Sequence, residues 1–119
     1  MNELGMKVWF FPDGDLPAPG DGDLKGHESL VVLNPNATDA ELRLTVYFTD
    51  REPAVLDAGL VGAQRVRCIR TNEPLDGFQI PFGQYALKIE SSVGVIAQIG
   101  RMDVVQANLA YYTTMGFGS

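Results

Sequence analysis

The stretch "ELRLTVYFTDREP", residues 41–53, decides the fold class. Leu42, Leu44, Val46 and Phe48 alternate with Glu41, Arg43, Thr45, Tyr47 and Thr49. Successive side chains of a pleated chain point to opposite sides, so a period of two marks a strand with one buried face. Pro53 has no N–H to offer a neighbouring strand, and regular pairing is expected to stop near it. Asp50, Arg51 and Glu52 therefore stand at a strand end, on the rim of the core that Phe48 enters. Such a charged block is either a solvated turn or a group held at a rim, where loops carry function.

The same alternation extends outward. Met6–Phe11 reads as a strand stopped by Pro12, and residues 12–27, dense in Gly, Pro and Asp, read as a long loop. Glu28–Leu33 resumes as a strand, and the continuous Leu30-Val31-Val32-Leu33 predicts burial on both faces. Val55–Val61 is a weaker strand interrupted by Gly59, and Gln64–Arg70 alternates again. After a second loop, Thr71–Gly83, the strand Tyr85–Glu90 is expected to turn at Ser91-Ser92 into Val93–Asp103. A helical turn over 104–108 and a last strand over Leu109–Met115 complete the chain. No stretch repeats the i, i+3, i+4 spacing of an amphipathic helix. Seven or eight short strands with turn signals predict a single all-β domain, a sandwich or a barrel. The predicted core is Leu30, Val32, Leu44, Val46, Phe48, Leu87, Ile89, Val95 and Ile96.

Composition bounds the function. The chain has 119 residues, 45% hydrophobic and 20% charged, with net charge −6. That length supports one domain with a core of its own. The acidic balance argues against non-specific nucleic-acid binding, although Arg65, Arg67 and Arg70 form a small basic cluster. No apolar run approaches the roughly 20 residues of a membrane helix, and Met1–Asp15 has no apolar signal core, so a cytoplasmic location is expected. Cys68, the only cysteine, excludes an internal disulfide and reads as a buried thiol. His27 is the only histidine, too few for a zinc site. The loop from Asp21 has Gly26 where an EF-hand would, but Lys25 and Val32 stand where oxygen ligands are needed. No metal and no cofactor are expected.

Polar residues on the strands carry the functional expectation. Gln98, between Ile96 and Gly100, reads as a polar group on a buried face, which requires partners. Arg101 and Asp103 carry the strand to a rim where Asp50, Arg51 and Glu52 are placed to meet them, in an Arg–carboxylate network. His27 follows the long loop, as a capping residue or as a hydrogen-bonding group at a pocket mouth.

The blocks "HESLVVLN" (27–34), "LTVYFTDREP" (44–53), "RVRCIRTNE" (65–73), "IPFGQYALKIESSV" (80–93) and "QIGRMDVVQA" (98–107) together resemble the Anabaena sensory rhodopsin transducer family, over nearly the whole chain from Trp9. The sequence departs from that pattern at Gly94, where the family commonly carries proline. The resemblance implies an antiparallel β-sandwich assembled as a homo-oligomer, a tetramer. It also implies a small-molecule-binding domain with sugar-like ligands. Trp9, His27, Glu28, Arg51, Gln98, Arg101 and Asp103 supply the aromatic, carboxylate, amide and guanidinium groups that polyol recognition needs. The first expectation is thus a cytoplasmic module binding a small molecule, a carbohydrate for instance, without catalysis. The alternative is a signalling adaptor docking a membrane receptor such as a sensory rhodopsin, with the DNA interaction attributed to that branch. A hydrolase pairing Glu28 with Asp103 is the third reading, disfavoured by the nearby arginine.

Overall fold

The computed structural model of the chain describes residues 3–16, 27–103 and 110–119. The described strands are β1 (Met6–Leu16), β2 (His27–Asn34), β3 (Ala40–Tyr47), β4 (Ala54–Val61), β5 (Arg65–Arg70), β6 (Gly83–Asp103), β7 (Ala110–Met115) and β8 (Phe117–Gly118). Every strand pairing is antiparallel, and the fold is the all-β sandwich expected. The first sheet runs β4-β3-β6-β1-β8, and the second places β2 between β5 and β6, with β7 on the other side of β6.

β6 belongs to both sheets. Its first part pairs with β1 and β3, and from Ile96 onward it pairs with β2 and β7. The expected turn at Ser91-Ser92 is therefore absent: Ser91 stays in the ladder opposite Leu42, and one strand of 21 residues crosses between the layers. Corners made by strands that switch sheets are a standard solution for closing a sandwich. Gly94 lies at the crossing because an added Cβ would stand 2.1 Å from the Leu4 carbonyl oxygen. Asn36 holds that approach, its amide nitrogen donating to the Leu4 carbonyl at 2.9 Å and the Gly94 carbonyl at 2.8 Å.

β1 also runs further than Pro12 suggested, to Leu16. The register slips between Phe11 and Gly14, and such a bulge is where a strand tolerates proline. The expected loop thus starts later, and its residues 17–26, including the acidic segment from Asp21, lie outside the described residues. So does the helical turn expected over 104–108.

Leu30, Val32, Leu44, Val46, Leu87, Ile89 and Val95 form the centre of the core, each at 1% exposure or less. Phe48 packs against them half-buried. Ile96 does not join them: it follows Val95 along a pleated strand and points outward, 46% exposed. Val31 and Leu33 are exposed for the same reason, so β2 has one buried face and not two. Cys68, opposite Val31, is exposed as well. The edges β4 and β5 are joined by Arg67, whose guanidinium donates to the carbonyls of Ala58 and Leu60. This gives carbonyls of the β4 edge a side-chain partner.

Leu44→Ala is expected to cost about 2–5 kcal/mol in urea unfolding, since the residue is fully buried and its strand cannot collapse onto the void. Gly94→Ala should also destabilise, by displacing the chain at Leu4.

Candidate functional site

At one end of the sandwich a carboxylate is folded into the core. Glu28 shares the inward parity of Leu30 and Val32 and is 0% exposed. A buried charge needs a counter-charge and hydrogen bonds. Arg101 supplies the first. It lies directly opposite Glu28 in the β2–β6 register, and its Nε donates to Oε2 at 2.7 Å. The Tyr85 hydroxyl donates to Oε1, and the Asp15 backbone N–H reaches Oε2 at 3.3 Å. The Glu28 carbonyl is also used, accepting from the backbone N–H of Thr71 at 3.0 Å and from its hydroxyl at 3.2 Å. The fork of Arg101 extends to the Asp13 carbonyl at 2.9 Å. One glutamate thus joins β1, β2, both halves of β6 and the segment after β5.

The surroundings are shaped for this group. Gly14 lies beneath the Tyr85 ring, where a Cβ would come within 2.7 Å of it. Burial, and then the charge of Glu28 and the hydrogen bond to it, hold the Tyr85 phenol well above its ordinary value of 10.0. Tyr85 is therefore a neutral donor to the carboxylate at physiological pH.

Of the residues expected at a site, this end brings together Glu28 and Arg101, with His27 half-buried beside them and opposite Met102. The other expected residues fall elsewhere. Trp9 is half-buried on β1, its indole N–H donating to the carbonyls of Val95 at 2.9 Å and Met6 at 3.2 Å. Gln98 is exposed, not buried, because it shares the outward parity of Ile96. Arg51 does not meet Arg101 in a rim network. It bonds its neighbour Asp50 at 3.1 Å with both side chains more than half exposed, and it stacks 5.0 Å from the Phe48 ring centroid. Residues 49–51 form a bend, and the charged block is a turn that covers an aromatic. Asp103 ends β6, and its side chain lies outside the described residues.

Sequence reasoning missed Tyr85 and Thr71. The first left a signal, since a tyrosine alternating with Leu87 and Ile89 on an inward face must find a partner for its hydroxyl. Thr71 left none, because a loop brings it there. The basic cluster on β5 is partly committed: Arg65 bonds the Gln64 carbonyl at 3.1 Å and Arg67 reaches β4.

These features define a class first: an antiparallel β-sandwich whose long shared strand meets a buried Glu–Arg–Tyr group at one end. The family described as the Anabaena sensory rhodopsin transducer matches residues 4–118; the chain belongs to that family. It is similar to the protein of the crystal structure of Thermotoga maritima 1070, with 34% identity and a TM-score of 0.86, over 100% of this chain and 97% of that one. It is also similar to the Anabaena sensory rhodopsin transducer itself, with 29% identity and a TM-score of 0.72, over 82% of this chain and 89% of that one. No curated protein matches it significantly.

Arg101→Ala is expected to cost about 3–5 kcal/mol, because it strands a buried carboxylate. Glu28→Leu combined with Arg101→Leu should cost less than the two single changes summed, and Arg51→Ala less than about 1 kcal/mol. Urea unfolding of the set checks all three. Tyr85 sets a pH dependence. Its raised phenol contributes stability present below the unfolded value of 10.0 and lost progressively as pH rises above it. Unfolding followed at increasing alkaline pH should therefore show a shallower decline in Tyr85→Phe than in the parent.

Proposed function

We propose that the chain is a transducer-like signalling module. In this reading it is a non-catalytic, cytoplasmic homotetramer that takes up a small sugar-like molecule and docks a membrane receptor such as a sensory rhodopsin. Family membership and the likeness to the Anabaena transducer support the transducer-like part. Among the described residues no helix is long and apolar enough to cross a membrane. The net charge of −6 complements the Lys- and Arg-rich cytoplasmic loops of membrane proteins, so docking should weaken with salt.

One observation carries the ligand part: the fully buried Glu28 carboxylate, held by Arg101 at the end of the sandwich beside His27. A sandwich filled by aliphatic side chains gains little net stability from such a pair. Planar carboxylate and guanidinium groups suit the hydroxyls of a sugar. A ligand hydroxyl accepting from Arg101 in place of the Asp13 carbonyl would release the end of β1. A ligand that binds this altered state better shifts the population toward it, and the surface offered to a partner changes.

The test is unfolding of the full chain with and without neutral monosaccharides such as D-glucose and D-galactose, alongside sedimentation. Binding at a hundredfold excess over Kd should add about 2.7 kcal/mol, and Arg101→Lys should remove most of it, since an ammonium cannot reproduce the guanidinium fork. Sedimentation should give a tetramer. Absence of any saccharide-dependent stabilisation sinks the ligand reading, and a stable monomer at micromolar concentration sinks the assembly.

A further inference from the structure

Away from the Glu28 end, the outer face of the first sheet carries a groove of about 610 Å³, within the roughly 300–1,000 Å³ span of small-molecule sites. β3, β4 and β6 build it. The register between β3 and β4 slips after Leu42, opposite Gly59 with its φ of 77°, and a bulge of this kind bends and twists the sheet. Glu41, Arg43, Asp57 and Glu90 line the groove, all pointing away from the buried Leu42, Leu44, Leu56 and Ile89.

Arg43 stands in register between Asp57 on β4 and Glu90 on β6. The plain expectation is a solvated row of cross-strand ion pairs. The hydrogen bonds distribute the charges differently. Asp57 Oδ1 accepts from the Gly59 N–H at 2.9 Å, and Glu90 lies 3.3 Å from Lys88 Nζ. Among the described residues, the Arg43 guanidinium and the Glu41 carboxylate are left with neither a hydrogen bond nor an ion pair. These two residues are two positions apart on one strand, roughly 6.7 Å between Cα atoms, and both side chains are long enough to reach opposite ends of one small molecule. Val55 and Leu60, 61% and 51% exposed, add aliphatic surface to the groove. Ser91, whose buried hydroxyl has no partner, also lines it.

The charge pattern selects the ligand class. A simple anion at Arg43 would face three carboxylates, and a simple cation at Glu41 would face the guanidinium. The described residues bring no three metal-ligating side chains together here. A molecule carrying both charges satisfies both groups. We propose that this groove binds a small aliphatic amino-carboxylate, an α-amino acid or a close analogue. Its carboxylate takes the fork of Arg43 bidentately, its ammonium pairs with Glu41, and its aliphatic body lies on Val55 and Leu60. The site is separate from the Glu28 end and does not rest on the sugar reading.

The experiment is a titration of the isotope-labelled full chain, followed by amide NMR, with L-leucine as the probe. Isovalerate and isopentylamine, which each carry one of its two charges, are the controls. Saturable shifts are expected at residues 41–43, 55–60 and 90–92, with each control binding at least about tenfold more weakly. Arg43→Gln and Glu41→Gln should each weaken leucine by a similar factor; both positions are exposed, so the variants keep the parent's dispersed spectrum. Three results would each overturn the proposal. One is no saturable shift with leucine at tens of millimolar. Another is isovalerate binding as well as leucine, which means an anion site only. The third is parental affinity in both variants.

Discussion

The hydrogen-bond ladders of β6 constrain everything else in the molecule. Its first part is held between β1 and β3, and its last part between β2 and β7. Because the chain never breaks between them, the two sheets cannot slide independently. Parity is carried unbroken across the junction, so Ile89, Val95, Ala97, Ile99 and Arg101 all face inward. The inward run of apolar residues ends in a guanidinium, and that ending places a charge inside the sandwich.

Glu28 is the answer to that charge, and it does more than neutralise it. Tyr85 belongs to the half of β6 in the first sheet and Arg101 to the half in the second, and one carboxylate accepts from both. This end of the sandwich is thus closed by an ion pair and its hydrogen bonds, while at the other end of β2 the buried Asn34 amide donates to the carbonyls of Thr38, Val61 and Gly62. Such a closure is sensitive to single changes, because removing one partner leaves the other desolvated and unpaired.

Both outer faces expose apolar residues, arranged differently. On the second sheet, Val66, Leu33 and Ile96 stand in one register row, all exposed, which gives an apolar surface. On the first sheet Glu41, Arg43, Asp57 and Glu90 gather around a bend made by the β3–β4 bulge, beside the exposed Val55 and Leu60. The charge therefore does not cover the molecule evenly.

The alternation of Leu42, Leu44, Val46 and Phe48, repeated in Tyr85, Leu87 and Ile89, was enough to determine an antiparallel all-β chain and most of its core. Period-two patterning depends only on local pleat geometry, and that survives in any sheet. The same rule, applied without knowing which face was covered, misplaced Val31, Ile96 and Gln98, because a run of apolar residues does not say whether one or two layers lie against it. Pro12 and Ser91-Ser92 looked like ends of strands and were not, since a bulge or a sheet crossing absorbs them, and both need neighbours that are distant in sequence. Glu28 and Arg101 were legible as polar residues on strands. Their pairing across 73 positions, the capture of Tyr85 and Thr71, and the reduction of Arg51 to a turn were decided by the tertiary structure alone. Which charges meet is set by strand register, and register is a property of the assembled sheets.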